Sequence, residues 1–250
     1  MTPLFQPPYV LVDEAVEALR RQGFALISAA DVRQWLPARA DELDVLHRGW
    51  SDLPSDAYLR DGGRYRRRRY GCFVQRGTEL QQMPHRAHWQ PLEYNALHGG
   101  MRRWFEPLLP QTLAQALWPR LLLRVGELVS ALHGEQPWYI EAHTFRIDTT
   151  DGIGRPTPEG AHRDGVDLVA VFMLERSNIK GGESRVFEAD GPSGQRFTLS
   201  QPWSLLLLDD ARVIHESTPI QPLQAGGFGW RDTLVLTYRR GGFQGDEDAV

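Results

Sequence analysis

The sequence predicts a mainly β protein with helices gathered toward its N-terminus, the strands closing into an antiparallel sandwich or barrel, jelly rolls included. Three observations carry that reading. Short runs rich in β-branched and aromatic residues recur from residue 138 onward. Clusters of Gly, Pro, Asp and Ser separate them at 151–158, 180–182 and 190–194. The stretch before residue 135 is instead spaced for helices.

Taken in order, residues 10–21 place Leu11, Ala15, Ala18 and Leu19 near a 3.6-residue period, and Gly23 ends the helix before an apolar strand at 24–27. Ser28 follows as an N-cap, because its hydroxyl can accept from a first-turn N–H, and 30–46 reads as one helix. A second helical block covers 99–134, cut by Pro107, Pro110 and Pro119, which lack the N–H a helix interior needs. Strands are then expected at 139–147, 160–174, 184–187, 195–199, 204–208, 213–216 and 231–238. With no repeat or linker in sight, residues 1–250 are expected to form a single domain, helix-rich over about 1–135 with its core over about 136–240. The Gly-rich acidic tail after Arg240 is expected to fray.

The totals exclude several function classes. Net charge is −4, and Lys180 is the only Lys among 28 basic residues, so nothing points to a nucleic-acid partner. The most basic stretch, Arg64-Tyr65-Arg66-Arg67-Arg68-Arg69-Tyr70, reads as a solvated strand paired with acidic neighbours. The longest apolar runs, 168–174 and 205–208, fall far short of the roughly 20 residues that span a bilayer, so no membrane partner is expected and both runs read as buried strands. Cys72 stands alone and permits no intrachain disulfide, and the start Met1-Thr2-Pro3-Leu4 lacks the basic and apolar regions of a secretory signal, which makes a cytoplasmic location the expectation.

Chemistry concentrates in the C-terminal half. Gly160-Ala161-His162-Arg163-Asp164-Gly165 puts a His and an Asp two apart on an expected strand, where period-2 geometry points both side chains to one face. With 8 His and 17 Asp in 250 residues, chance alone supplies about 0.5 such pairs, so the motif needs context. The context is His215, which follows the apolar strand at 204–208 and the pair Asp209-Asp210. Two neutral imidazoles and one carboxylate on one face of an octahedral ion leave three positions open, the arrangement of non-haem Fe(II) oxygenases, where a bidentate co-substrate and O2 bind. Asp209 and Asp210 are rival carboxylates, but paired Asp suits a turn between strands, and Asp164 is kept as the ligand. Arg231 and Thr233 share one face of the last strand, a guanidinium and a hydroxyl fit to hold a distal carboxylate, unless Arg231 is an ordinary surface residue on an edge strand.

Pro158-Glu159-Gly160-Ala161-His162-Arg163-Asp164-Gly165-Val166-Asp167, with Asn178-Ile179, Gly181-Gly182-Glu183-Ser184, Asp209-Asp210, His215 and Arg231-Asp232, closely resembles the bacterial 2-oxoglutarate/Fe(II) dioxygenase family of L-isoleucine dioxygenase. The resemblance covers roughly residues 138–240 and is weaker upstream. It implies a double-stranded β-helix core, the cupin-like jelly roll, with iron held by His162, Asp164 and His215. It also implies 2-oxoglutarate anchored through its far carboxylate by Arg231, and none of these four positions departs from the family pattern. The gap of 231 − 215 = 16 residues matches the usual placing of that Arg in the wider superfamily.

The activity so implied is hydroxylation of an aliphatic C–H bond of a free L-amino acid, with release of succinate and CO2. The same chemistry on a larger peptide, carrier-bound or natural-product intermediate is the alternative, and a non-catalytic jelly-roll binding protein is another. Candidate contacts to the small-molecule substrate are Arg146 and Arg163 for its carboxylate, His143 on the strand before the metal motif, and Tyr94 and Asn95 in a segment able to close as a lid. Each has a plainer reading: strand alternation turns Arg163 away from His162 and Asp164, His143 suits an ordinary strand position, and Tyr94 and Asn95 suit turn chemistry.

Overall fold

The computed structural model describes residues 5–246; the expectations for residues 1–4 and for 247–250 of the tail lie outside the described residues. The chain runs β1 (Tyr9–Val10), α1 (Ala15–Gln22), β2 (Phe24–Ile27), α2 (Ala29–Trp35), α3 (Ala40–His47), β3 (Arg66–Arg76), β4 (Glu79–Gln82), α4 (Pro110–Leu113) and α5 (Leu117–His133). It continues with β5 (Trp138–Asp148), β6 (Leu168–Ser177), β7 (Ile179–Gly181), β8 (Ser184–Glu188), β9 (Gly194–Phe197), β10 (Leu205–Asp209), β11 (Val213–Ser217), β12 (Ile220–Pro222) and β13 (Trp230–Arg239).

Eight strands form one sheet in the order β1-β2-β10-β6-β13-β5-β3-β4, and β11-β8-β9 and β12-β7 form two small sheets. Together they make the jelly roll, and alternation along each strand decides what lies on either side of the large sheet. One face, with Ile140, Ala142, Leu234, Leu236 and Tyr238, packs on Leu121, Leu122, Val125 and Val129 of α5. The other face meets the small sheet through Val169, Met173, Leu206 and Leu208 against Val186, Phe197 and Val213. Strands β6 and β10 lie inside the sheet with both faces covered, which is why their sequences read as unbroken apolar runs instead of alternating.

Several elements depart from expectation for local reasons. The 30–46 helix is two, α2 and α3, with Pro37 between them unable to continue the ladder; Ser28 caps α2 by accepting from the Asp31 N–H at 3.2 Å. Only 110–113 and 117–133 of the 99–134 block are α-helical. The expected strand at 160–174 enters the sheet only at Leu168, because Gly160 and Gly165 take φ of +83° and +76° and hold the chain in turns. The part before residue 135 is not only helical: β1 to β4 are half of the large sheet. The Arg-rich segment is a strand, as read, but not a solvated one, since Arg66 and Arg68 are buried. The start of the tail is packed as well, with Phe243 edge-on to Tyr139 at 5.1 Å. Among the described residues no helix is long and apolar enough to cross a membrane.

Candidate active site

His162 and His215 are brought face to face by backbone pairing. The His162 N–H donates to the His215 carbonyl at 3.1 Å and the His215 N–H donates back at 2.9 Å, an isolated bridge that sets the two rings 4.6 Å apart. Asp164 follows in the Gly-punctuated loop, and Asp210 fixes that loop by accepting the backbone N–H groups of Asp164, Gly165 and Val166. Gln244 adds a hydrogen bond to the Asp164 carbonyl at 2.8 Å. The expected shared strand face is therefore replaced by a bridge and a braced loop, which achieve the same convergence.

The Asp164 carboxylate stands 3.7 Å from His162 Nε2 and 3.6 Å from His215 Nε2. These gaps are too long for hydrogen bonds. One donor atom from each of the three residues lies within 4.8 Å of the others, so they converge as the ligands of a metal held at about 2.1 Å must. His162 Nδ1 donates to the Gly160 carbonyl at 2.9 Å, which turns Nε2 toward Asp164. Burial, and then His162 beside it, push His215 down to about 4, which keeps it a neutral imidazole with a lone pair to give. Burial works against a charged His162, yet Asp164 and Glu159 pull its pKa up to about 10: the cluster stabilises a positive charge, proton or metal ion.

Arg231 supplies the second feature. It is 5% exposed, donates from Nη1 to Ser217 Oγ at 3.0 Å, and keeps a buried Nε without an acceptor. Burial and nearby Arg176 push it down to about 9, so it remains charged at neutral pH. No carboxylate pairs with it among the described residues. A buried guanidinium with an unmet donor is costly to the protein alone and suits an incoming carboxylate. Alternation on β13 brings Thr233, Val235 and Thr237 onto the same cavity wall.

The cavity between the sheets is lined by all three cluster residues and by Arg231, Thr233, His143 and Asn95. Three sequence candidates are not brought there. On β5 the inward positions are Glu141, His143, Phe145 and Ile147, so Arg146 points outward and forms a two-point ion pair with Asp232 at 2.7 and 2.6 Å. Arg163 donates to the Ala211 carbonyl at 3.1 Å and does not line the cavity, although the loop there, and not strand alternation, turns it away. Tyr94 does not line the cavity and lies against Gly165, where an added Cβ would overlap its ring. Reading by sequence missed Arg66, Arg68, Arg103, Glu141, Glu159 and Gln90, all in the lining. A signal for the first two is present, because Arg66 and Arg68, two apart on a strand, share one face, and Arg67 and Arg69 the other.

Two further groups have metal-like composition: His88 with Glu141 and His143, and His47 with Glu175 and Asp232. Each is already partly engaged within the protein. His143 Nδ1 accepts from Arg68, Glu141 accepts from Tyr70 and pairs with His88, and Asp232 is held by Arg146 and His47.

The model of the 2OG-Fe dioxygenase family matches residues 47–237. The chain belongs to that family. This dioxygenase is thus an enzyme using Fe(II), 2-oxoglutarate and O2. It is 27% identical, over 89% of its length and 94% of the other's, to 3(1)-hydroxy-L-isoleucine 4-dioxygenase of Pantoea ananatis. Among solved structures, a BsmA homologue from Methylobium petroleophilum PM1 superposes on it with a TM-score of 0.90 at 51% identity, covering 98% of this chain and 99% of that one. The dioxygenase also shares its fold with IDO from Bacillus thuringiensis, with a TM-score of 0.71 at 17% identity over 92% of this chain and 99% of that one.

Proposed function

We propose that this dioxygenase hydroxylates an aliphatic C–H bond of a free L-amino acid, with His162, Asp164 and His215 holding the iron and Arg231 holding 2-oxoglutarate. The observation that carries this reading is that the two-His, one-carboxylate cluster and a buried guanidinium lacking a carboxylate partner open into one cavity. When bound, iron and 2-oxoglutarate supply the oxidation: R–H, 2-oxoglutarate and O2 become R–OH, succinate and CO2. His215 gives a neutral nitrogen, His162 is aimed by Gly160, and Asp164 brings the negative charge. Arg231 pairs with the distal carboxylate, Ser217 orients that guanidinium, and Thr233 offers its hydroxyl alongside. Val166, Val169, Val171 and Val235 keep one wall of the cavity apolar, which excludes water from the side of an aliphatic substrate. The amino-acid substrate of the Pantoea relative supports the substrate class. The protein is proposed to act as a single domain in the cytoplasm.

The test is succinate release with Fe(II), 2-oxoglutarate and air over the twenty L-amino acids, with products weighed by mass spectrometry. One or more amino acids are expected to raise succinate and to gain one oxygen atom in equal amounts. Stimulation by none of them, with stimulation by peptides or carrier-bound acids, sends the same chemistry to larger substrates.

A further inference from the structure

One end of the cavity carries more positive charge than its own groups neutralise. Strand β3 turns Arg66 and Arg68 inward, and Arg103 joins them through a two-way backbone bridge to His88, both hydrogen bonds 2.9 Å long. Their exposures are 5%, 4% and 2%. Asp56 is the carboxylate paired with them, 2.7 Å from Arg66 Nε and 3.9 Å from Arg68 Nη1. Arg68 lies between the rings of Phe105 and Phe145, 3.6 and 4.3 Å from their centroids, and donates to His143. Arg103 spends one donor on Gln90 Oε1 at 2.9 Å. After these bonds Arg66 Nη2, Arg68 Nε and Arg103 Nε are buried with no acceptor. Glu141 lines the same end but is engaged by Tyr70 and His88, so three guanidiniums, each with an unmet donor, face two carboxylates and describe a cradle for an anion.

That anion is not the one beside Arg231. Arg66 and Arg231 both pair with Ile147, from opposite sides of β5. Their backbones therefore lie two strand spacings apart, about 10 Å. Near the metal cluster stands a carboxylate with one unmet oxygen. Glu159 has Oε1 3.6 Å from His162 Nε2, while its Oε2 is buried without a partner. Glu159 and Arg103 line the same cavity, so the cationic and anionic stations face one ligand space.

We propose that Arg66, Arg68 and Arg103 form a second carboxylate subsite which, with Glu159 as acceptor for an ammonium, reads the two charged ends of a zwitterionic α-amino acid. This rests on the function proposed above and names the residues that select the substrate. With both ends so held, the side chain faces the valine wall, which favours aliphatic amino acids.

The experiment is calorimetric titration under nitrogen of enzyme loaded with Fe(II) and 2-oxoglutarate. The tightest binder among the twenty L-amino acids is compared with its C-terminal amide and its N-acetyl derivative in wild type, Arg68→Met and Glu159→Gln. In wild type, the amide is expected to bind about 100-fold more weakly than the acid, the scale of a lost buried charge pair. Arg68→Met is expected to weaken the acid by a similar factor while leaving the amide and 2-oxoglutarate unchanged. Glu159→Gln is expected to erase the difference between the free and N-acetylated amine. An amide that binds wild type as tightly as the acid overturns the proposal without reliance on any variant. So does loss of 2-oxoglutarate affinity in Arg68→Met, or the binding of no amino acid while 2-oxoglutarate binds normally. Failure of wild type to bind 2-oxoglutarate at all is seen before any amino acid is added, and defeats the underlying reading first.

Discussion

Replacing Arg231 by Met is expected to make the ligand-free protein more stable and the co-substrate site useless. The fall of its pKa from an ordinary 12.5 to about 9 corresponds to at most about 5 kcal/mol against the charged form. Relaxation and the lost bond to Ser217 reduce the recoverable part to roughly 2 kcal/mol. For a chain of this size that raises the melting temperature by about 4–8 °C. With co-substrate that advantage is cancelled. At 100 times its Kd, 2-oxoglutarate stabilises wild type by about 2.7 kcal/mol. Loss of the buried charge partner costs about 2–5 kcal/mol of binding, which removes from about two-thirds to all of that stabilisation at the same concentration. Scanning calorimetry of the Fe(II)-loaded proteins under nitrogen, with and without 2-oxoglutarate, reads both effects. A variant that melts below wild type and still gains stability from 2-oxoglutarate would refute the assignment and leave Arg231 a structural residue.

Asp210→Ala leaves three backbone N–H groups of the Asp164 loop without their acceptor, and metal affinity is expected to fall about 10- to 100-fold in a competition titration. His88, His98 and His143 are all pushed down by burial, His98 to about 4. Since the unfolded rings titrate near 6.5, the unfolded chain binds more protons below that pH; the stability of the neutral rings is present above 6.5 and lost as pH falls toward 4. Urea midpoints measured from pH 7 to 4 are expected to drop, and less steeply in His98→Gln. Gly126→Ala would drive a Cβ into the buried Gln75 side chain, and urea unfolding is expected to show a loss of about 1–3 kcal/mol despite the better helix propensity of Ala.

The parts of this molecule legible in its sequence are those set by local periodicity. The apolar run at 24–27 is a strand over those same residues, and Ser28 is the cap its position predicts. The cluster His162, Asp164 and His215 was identifiable by residue type and order, although the supposed strand beneath His162 is a glycine-shaped loop. What the sequence hid depends on contacts distant along the chain. Alternation puts Arg146 and His143 on opposite faces of β5, but which face is inward, and that Asp232 on β13 holds Arg146, depend on distant pairing. Arg103 and Glu159 reach the cavity from loops, where no period points a side chain inward. Arg66 and Arg68 carry a period-2 signal, but four consecutive arginines look solvated until β3 is placed inside the sheet, one face of it toward the cavity.

The most direct test of the central claim is anaerobic titration of the enzyme with Fe(II) and then 2-oxoglutarate, following the weak visible charge-transfer absorption of the chelate. Wild type is expected to develop the band at one equivalent of iron, His215→Ala to bind little iron and show none, and Arg231→Met to require far more 2-oxoglutarate. Wild type that binds iron yet shows no band with 2-oxoglutarate, or a band that survives intact in His215→Ala, would contradict the account.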